Sequence, residues 1–207
     1  MLFTTKELLH RNHACTDRFR HFFKRYYPVA DDEPIPLTAV LAVNGINDAA
    51  WCLCATTKPT ESDQFVQMLA ADFAEHVLPI FEAKFPDNPA PRRAIETVRR
   101  FARGEATKQE LANAYKAVRA ADVAADVAHA RAAYYAAEAA SHAAYTATYV
   151  AYTADRFARL AARGASAYAA NAAYYATEAA VDARAAAAEA ERLWQTDHFR
   201  EALLAHN

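Results

Sequence analysis

Apolar residues recur at three- and four-residue steps along most of the chain, the spacing that gathers them on one face of an α-helix. Phe19, Phe22, Phe23 and Tyr26 form one such stripe and predict a helix from about Ala14 to Tyr27, stopped by Pro28. A shorter helix precedes it, capped by Thr4 or Thr5 and running through Leu9. Leu37 to Val43 predicts a third helix, closed by Asn44-Gly45 because glycine tolerates positive φ. Asn47 or Asp48 should cap the next one, which carries Trp51, Cys52 and Leu53. Phe65, Leu69, Phe73, Val77, Ile80 and Phe81 line a longer helix beginning at Thr60, which Pro79 should kink or divide. Arg92 to Arg103 turns Ile95, Val98 and Phe101 inward and places Glu96 within reach of Arg92, Arg99 and Arg100. Gly104 ends that helix, and Thr107 with Glu110 forms a capping box for the next helix.

The pattern then changes. Between Ala112 and Arg192 alanine fills 38 of 81 positions, nine of the eleven tyrosines occur, and Gly164 is the only glycine. No proline occurs beyond Pro91, so long helix is predicted on both sides of Gly164. Val123, Val127, Ala130, Tyr134, Ala137, Ser141 and Tyr145 make one stripe. Asp122, Asp126, His129, Glu138 and His142 make the polar face. Ala132–Ala140 (AAYYAAEAA) is nearly repeated by Ala172–Ala180 (AAYYATEAA). An unbroken helix of about 55 residues would exceed ~80 Å, so a break before Gly164 is expected. Helices carrying mostly methyl groups gain stability only by close approach, with tyrosines filling the gaps. These patterns predict an all-α fold, a helical bundle in which short N-terminal helices pack on a long Ala/Tyr-rich antiparallel helical hairpin. Residues 1–207 read as one domain, with a short-helix half (1–104) and an alanine-rich half (105–207). Trp194, Phe199, Leu203 and Leu204 should dock back on the N-terminal half.

Charge narrows the function classes. The formal net charge is −2, which argues against a polyanionic partner. Residues 1–27 carry six Lys/Arg and two Asp/Glu, so the face bearing Arg11, Arg18, Arg20, Lys24 and Arg25 is the one basic footprint. It is thin for a DNA-binding helix, and a nucleic-acid accessory protein using residues 11–25 is the alternative reading. The start of the chain has no apolar run of signal-peptide length. No window of about 18 residues is apolar enough to span a membrane. Free thiols at Cys15, Cys52 and Cys54 suit a reducing cytoplasm.

Candidate chemistry is sparse. His13, Cys15 and Cys52 could in principle ligate zinc, but their spacing fits no zinc pattern, so a small metal-binding helical protein is a further alternative and no cofactor is expected. Three well-separated glycines leave no phosphate-binding loop. Asp31, Asp32 and Glu33 read as a solvated loop. Neighbouring tyrosines on a helix point about 100° apart, so one of each pair Tyr134-Tyr135 and Tyr174-Tyr175 can reach the surface. The candidate binding residues are Tyr135, Glu138, His142, Tyr174, Tyr175 and Glu178, with Arg18 and Arg25 on the basic face.

The segments HAC (His13–Cys15), IPL (Ile35–Leu37), NGINDAAWCL (Asn44–Leu53), AEHVLPIFE (Ala74–Glu82) and PRRAIETVRRFARGEAT (Pro91–Thr107) resemble the alanine-rich immunity proteins found in bacterial and phage genomes and linked to polymorphic toxin systems. Asn44 to Thr107 is the specific part. The resemblance implies an all-helical, non-catalytic protein that binds and neutralises another protein, either as an immunity protein or as a phage-encoded counter-defence protein. It offers no catalytic residues to carry over. The implied partner is a toxin or a host defence component, met by stoichiometric occlusion. Pairing with a second copy is also open, and membrane attachment is not expected.

Overall fold

The computed structural model describes residues 1–26, 30–127, 137, 140–145 and 181–206. Apart from two short strands, the regular elements they form are helices. The elements are β1 (Phe3–Thr4), α1 (Lys6–Arg11), α2 (Thr16–Arg25), β2 (Ile35–Pro36), α3 (Leu37–Asn44), α4 (Ile46–Cys52), a 3₁₀ turn (Leu53–Ala55), α5 (Pro59–Lys84), α6 (Ala90–Ala102), α7 (Lys108–Val127) and α8 (Val181–Ala205). Residues 140–145 are helical as well. The all-α expectation therefore holds. β1 and β2 pair antiparallel, Phe3 with Pro36 and Thr4 with Ile35.

Local chemistry accounts for most boundaries. Thr5 caps α1 by accepting from the Leu8 amide at 3.1 Å, while Thr4 donates its hydroxyl to the Ala55 carbonyl at 2.6 Å. Gly45 ends α3 at φ 79°, ψ −178°, a conformation open essentially to glycine alone. Gly45 is also the residue preceding α4, and no side chain caps that helix. Asp48 is not the cap the pattern suggested; it lies within α4 and is buried. α5 starts at Pro59, a favoured first helical residue, and continues through Pro79 as one helix. The Thr107 capping box forms: the Glu110 amide donates to the Thr107 hydroxyl at 3.2 Å, and the Thr107 amide donates to the Glu110 carboxylate at 2.7 Å. The bonds that the Thr107 amide and then its hydroxyl donate to the carboxylate hold the Glu110 carboxyl below its ordinary pKa.

The chain divides into two compact units. One is Met1–Asp63 with Thr196–Asn207, the other Gln64–Gln195. The first unit buries Leu2, Leu9, Phe22, Ile35, Leu37, Val40, Cys52 and Leu53, together with Phe199 and Leu203 from α8. The Met1 amino group donates to the His206 carbonyl. The terminal segment thus packs with N-terminal residues as expected, except that Leu204 is 48% exposed. The second unit buries Val66, Leu69, Phe73, Val77, Phe81, Ile95, Val98, Leu111 and Val118. Ala137, Ala140, Ala143 and Ala144 are fully buried there. Val123, assigned to the same stripe by its spacing, is instead 58% exposed.

Three arginines of α6 tie the second unit together by pairing across elements. Arg92 makes two 2.6 Å bonds to Glu82. Arg99 bridges Asp72 and Glu75, and Arg100 reaches Glu110 at 3.2 Å. These are the same arginines that the sequence placed near Glu96 within α6.

Candidate protein-binding surfaces

The basic face of α1 and α2 is largely committed to ion pairs. Arg11 bonds Glu7 at 2.5 Å, Arg20 lies 3.4 Å from Asp17, and Lys6 holds Asp31 at 2.6 Å. Its bond to the Lys6 ammonium, then the charge itself, draws the Asp31 carboxyl below its ordinary range. Arg18 is anchored most firmly. Its Nη2 sits 3.0 Å from Asp48 Oδ1, and Asn44 Nδ2 donates both to Asp48 Oδ2 at 2.8 Å and to the Arg18 carbonyl at 3.2 Å. One buried carboxylate thus joins α2, α3 and α4. Lys24 and Arg25 make no ion pair among the described residues and stay exposed.

Beside these cations runs an apolar groove of about 340 Å³, lined by Leu9, Ala14, Phe19 and Phe23 with His10, Arg20 and Lys24 at its rim. Phe19 is held in place by aromatic neighbours, its ring centroid 5.9 Å from Trp51, 6.0 Å from Phe23 and 6.5 Å from Phe22. The chain enters α2 through His13 at φ 56°, a left-handed conformation. Periodicity assigned Phe23 to the core, but it is only half-buried. It lines the groove with Leu9 of α1 and Phe19, an arrangement a single-helix pattern does not encode.

In the second unit, His142 is half-buried, with its ring 6.3 Å from Tyr145, which in turn lies 5.8 Å from Tyr115. Tyr135, Glu138, Tyr174, Tyr175 and Glu178 fall outside the described residues. The same unit holds a polar cluster that the sequence did not flag. Glu191 is 5% exposed and Gln195 fully buried. Gln195 Nε2 donates to Glu191 Oε1 at 2.9 Å, and His76 Nε2 lies 3.1 Å from Glu191 Oε2. The His76 ring stacks on Trp194 at 3.6 Å, and Phe73 meets Trp194 edge-on at 6.3 Å. Burial raises the Glu191 carboxyl pKa, opposed by the Gln195 bond and the charge of His76. Helical spacing alone marks Glu191 and Gln195 as an i, i+4 pair on a surface face; only the position of α5 shows them buried.

Among the described residues no three metal-ligating side chains converge, and Cys52 is buried while Cys15 is exposed. No helix of the described residues is long and apolar enough to cross a membrane. The family described as "Imm-5 like putative immunity protein" matches residues 57–202. The match includes Ala74–Glu82 and Pro91–Thr107 and runs through the alanine-rich stretch, beginning after Asn44–Leu53. No curated protein and no solved structure matches the chain.

Proposed function

The chain belongs to the Imm-5 like immunity protein family, and from that membership we propose that it neutralises a target protein by occupying its surface, one copy to one, without catalysing a reaction. The family match across residues 57–202 is the observation that carries this reading. The target is a toxin or a host defence component met in the cytoplasm. The contact runs through the tyrosine and acidic residues of the alanine-rich stretch, Tyr135, Glu138, His142, Tyr174, Tyr175 and Glu178, or through the basic face of residues 11–25 with Arg18 and Arg25. Fully buried alanines beneath half-buried His142 and Tyr145 give the first of these a stiff support, and rigid aromatic side chains lose little entropy on docking.

Nucleic-acid binding is the weaker reading because Arg11, Arg18 and Arg20 already face carboxylates. Counterion release requires cations free to meet phosphates.

Affinity capture with the tagged full chain from its native host, followed by size-exclusion with light scattering, tests the proposal. A stable one-to-one complex with one protein, weakened by substitution of His142 or Arg25, is the expected outcome. Recovery of nucleic acid, or turnover of a small molecule with no protein captured, would overturn it.

A further inference from the structure

The α1–α2 groove lies in residues 1–56, ahead of the stretch that matches the family, so family membership says nothing about its occupant. Its floor is apolar and preformed, since Phe19 is fixed among Phe22, Phe23 and Trp51. A stiff aromatic floor ringed by polar side chains is the setting in which a few inserted side chains dominate a binding energy. Its lining carries His10, Arg20 and Lys24, and Lys24 with its chain neighbour Arg25 makes no ion pair among the described residues. Asp17 is the acid that touches this rim, paired with Arg20 at 3.4 Å and itself 86% exposed.

The groove also lies between helices. Their backbone groups are spent on their own hydrogen bonds, so an added strand would find no ladder there, and recognition must run through side chains. A symmetric pair of copies meeting at this face would set one basic rim against another, which costs energy.

We propose that this groove docks an acidic amphipathic helix of the target protein, its apolar side chains seated over Phe19 and Phe23 and its carboxylates facing Lys24 and the neighbouring Arg25. The assignment deepens the inhibitor reading above and rests on it for the identity of the occupant.

The test uses the full chain and a designed fluorescent peptide with leucine at i, i+3, i+4 and i+7 and glutamate elsewhere, read by fluorescence anisotropy. Its twin carries lysine in place of every glutamate. The acidic peptide should bind at least about tenfold more tightly than its twin and weaken with added salt. Lys24→Gln combined with Arg25→Gln, both exposed and outside any ion pair among the described residues, should weaken it about tenfold or more while thermal unfolding changes little. Ala14→Trp, which fills the groove, should do the same. Equal binding of the two peptides, no binding of the acidic one, or indifference to both sets of variants would overturn the proposal. So would a self-associated protein that Ala14→Trp converts to monomer, since the occupant would then be a second copy. Target capture run alongside separates the two claims. If the peptide fails while wild type still captures a protein, the groove assignment falls and the inhibitor reading stands.

Discussion

Replacing Arg18 with alanine should weaken the fold before it weakens binding. The arginine sits 3.0 Å from a carboxylate whose residue, Asp48, is 7% exposed, while its own side chain is 50% exposed. Bare Coulomb attraction at that separation is about 1.4 kcal/mol in bulk water and about 5.5 kcal/mol at an effective dielectric of about 20. Two effects reduce the net value: solvent screens the exposed half of Arg18, and taking Asp48 out of water already costs energy. We expect Arg18→Ala to lose ~1–2 kcal/mol, a fall in melting temperature of ~2–8 °C for a chain of this size. Asp48→Ala should cost more, because Asn44 Nδ2 loses its 2.8 Å acceptor along with Arg18. Urea unfolding of wild type, both single variants and the double variant closes a thermodynamic cycle. The coupling energy between Arg18 and Asp48 should be about 1 kcal/mol. A coupling below about 0.3 kcal/mol, or an Arg18→Ala protein of unchanged stability, would refute the reasoning.

The same geometry sets further expectations. Burial lifts the native Glu191 pKa, so the unfolded chain ionises first as pH rises and wild type loses stability from the ordinary carboxylate range up to the raised native value. Glu191→Gln removes that loss; its unfolding free energy relative to wild type should climb as pH rises above the ordinary carboxylate range, and a flat difference would contradict it. Phe199→Ala deletes a fully buried ring from α8 and should cost ~3–5 kcal/mol by denaturant titration. A cost under ~1 kcal/mol would mean that α8 does not pack as described. Gly45→Ala places a Cβ in open space, so its expected penalty of ~1–3 kcal/mol is purely conformational and should appear in melting curves without any change in partner affinity.

How legible this molecule was depends on the range of the interaction concerned. Features fixed within one turn were readable: the Thr5 cap, the Gly45 stop and the Thr107–Glu110 box occur where their residue types demanded. The all-helical class came from alanine content and period. Features set by a neighbouring helix were not readable. Glu96 is close to three arginines in sequence, yet Arg92, Arg99 and Arg100 pair instead with acids of α5 and α7. Asp48 looked like a cap because aspartate often is one; its actual duty, holding Arg18, depends on α2 lying across α4. The Phe23 groove and the buried Glu191–Gln195 pair share that origin. Residues with one apolar and one polar neighbour are ambiguous until the second helix is placed.

The unit formed by Met1–Asp63 and Thr196–Asn207 takes its material from two segments far apart in sequence. Gln64–Gln195 is continuous and can collapse while the ribosome is still translating. The other unit closes only once Thr196–Asn207, with the buried Phe199 and Leu203, has joined the segment that carries Leu2, Leu9 and Phe22. A premature stop near Gln195 would therefore leave Met1–Asp63 without the segment that completes its unit, and more open to cellular proteases.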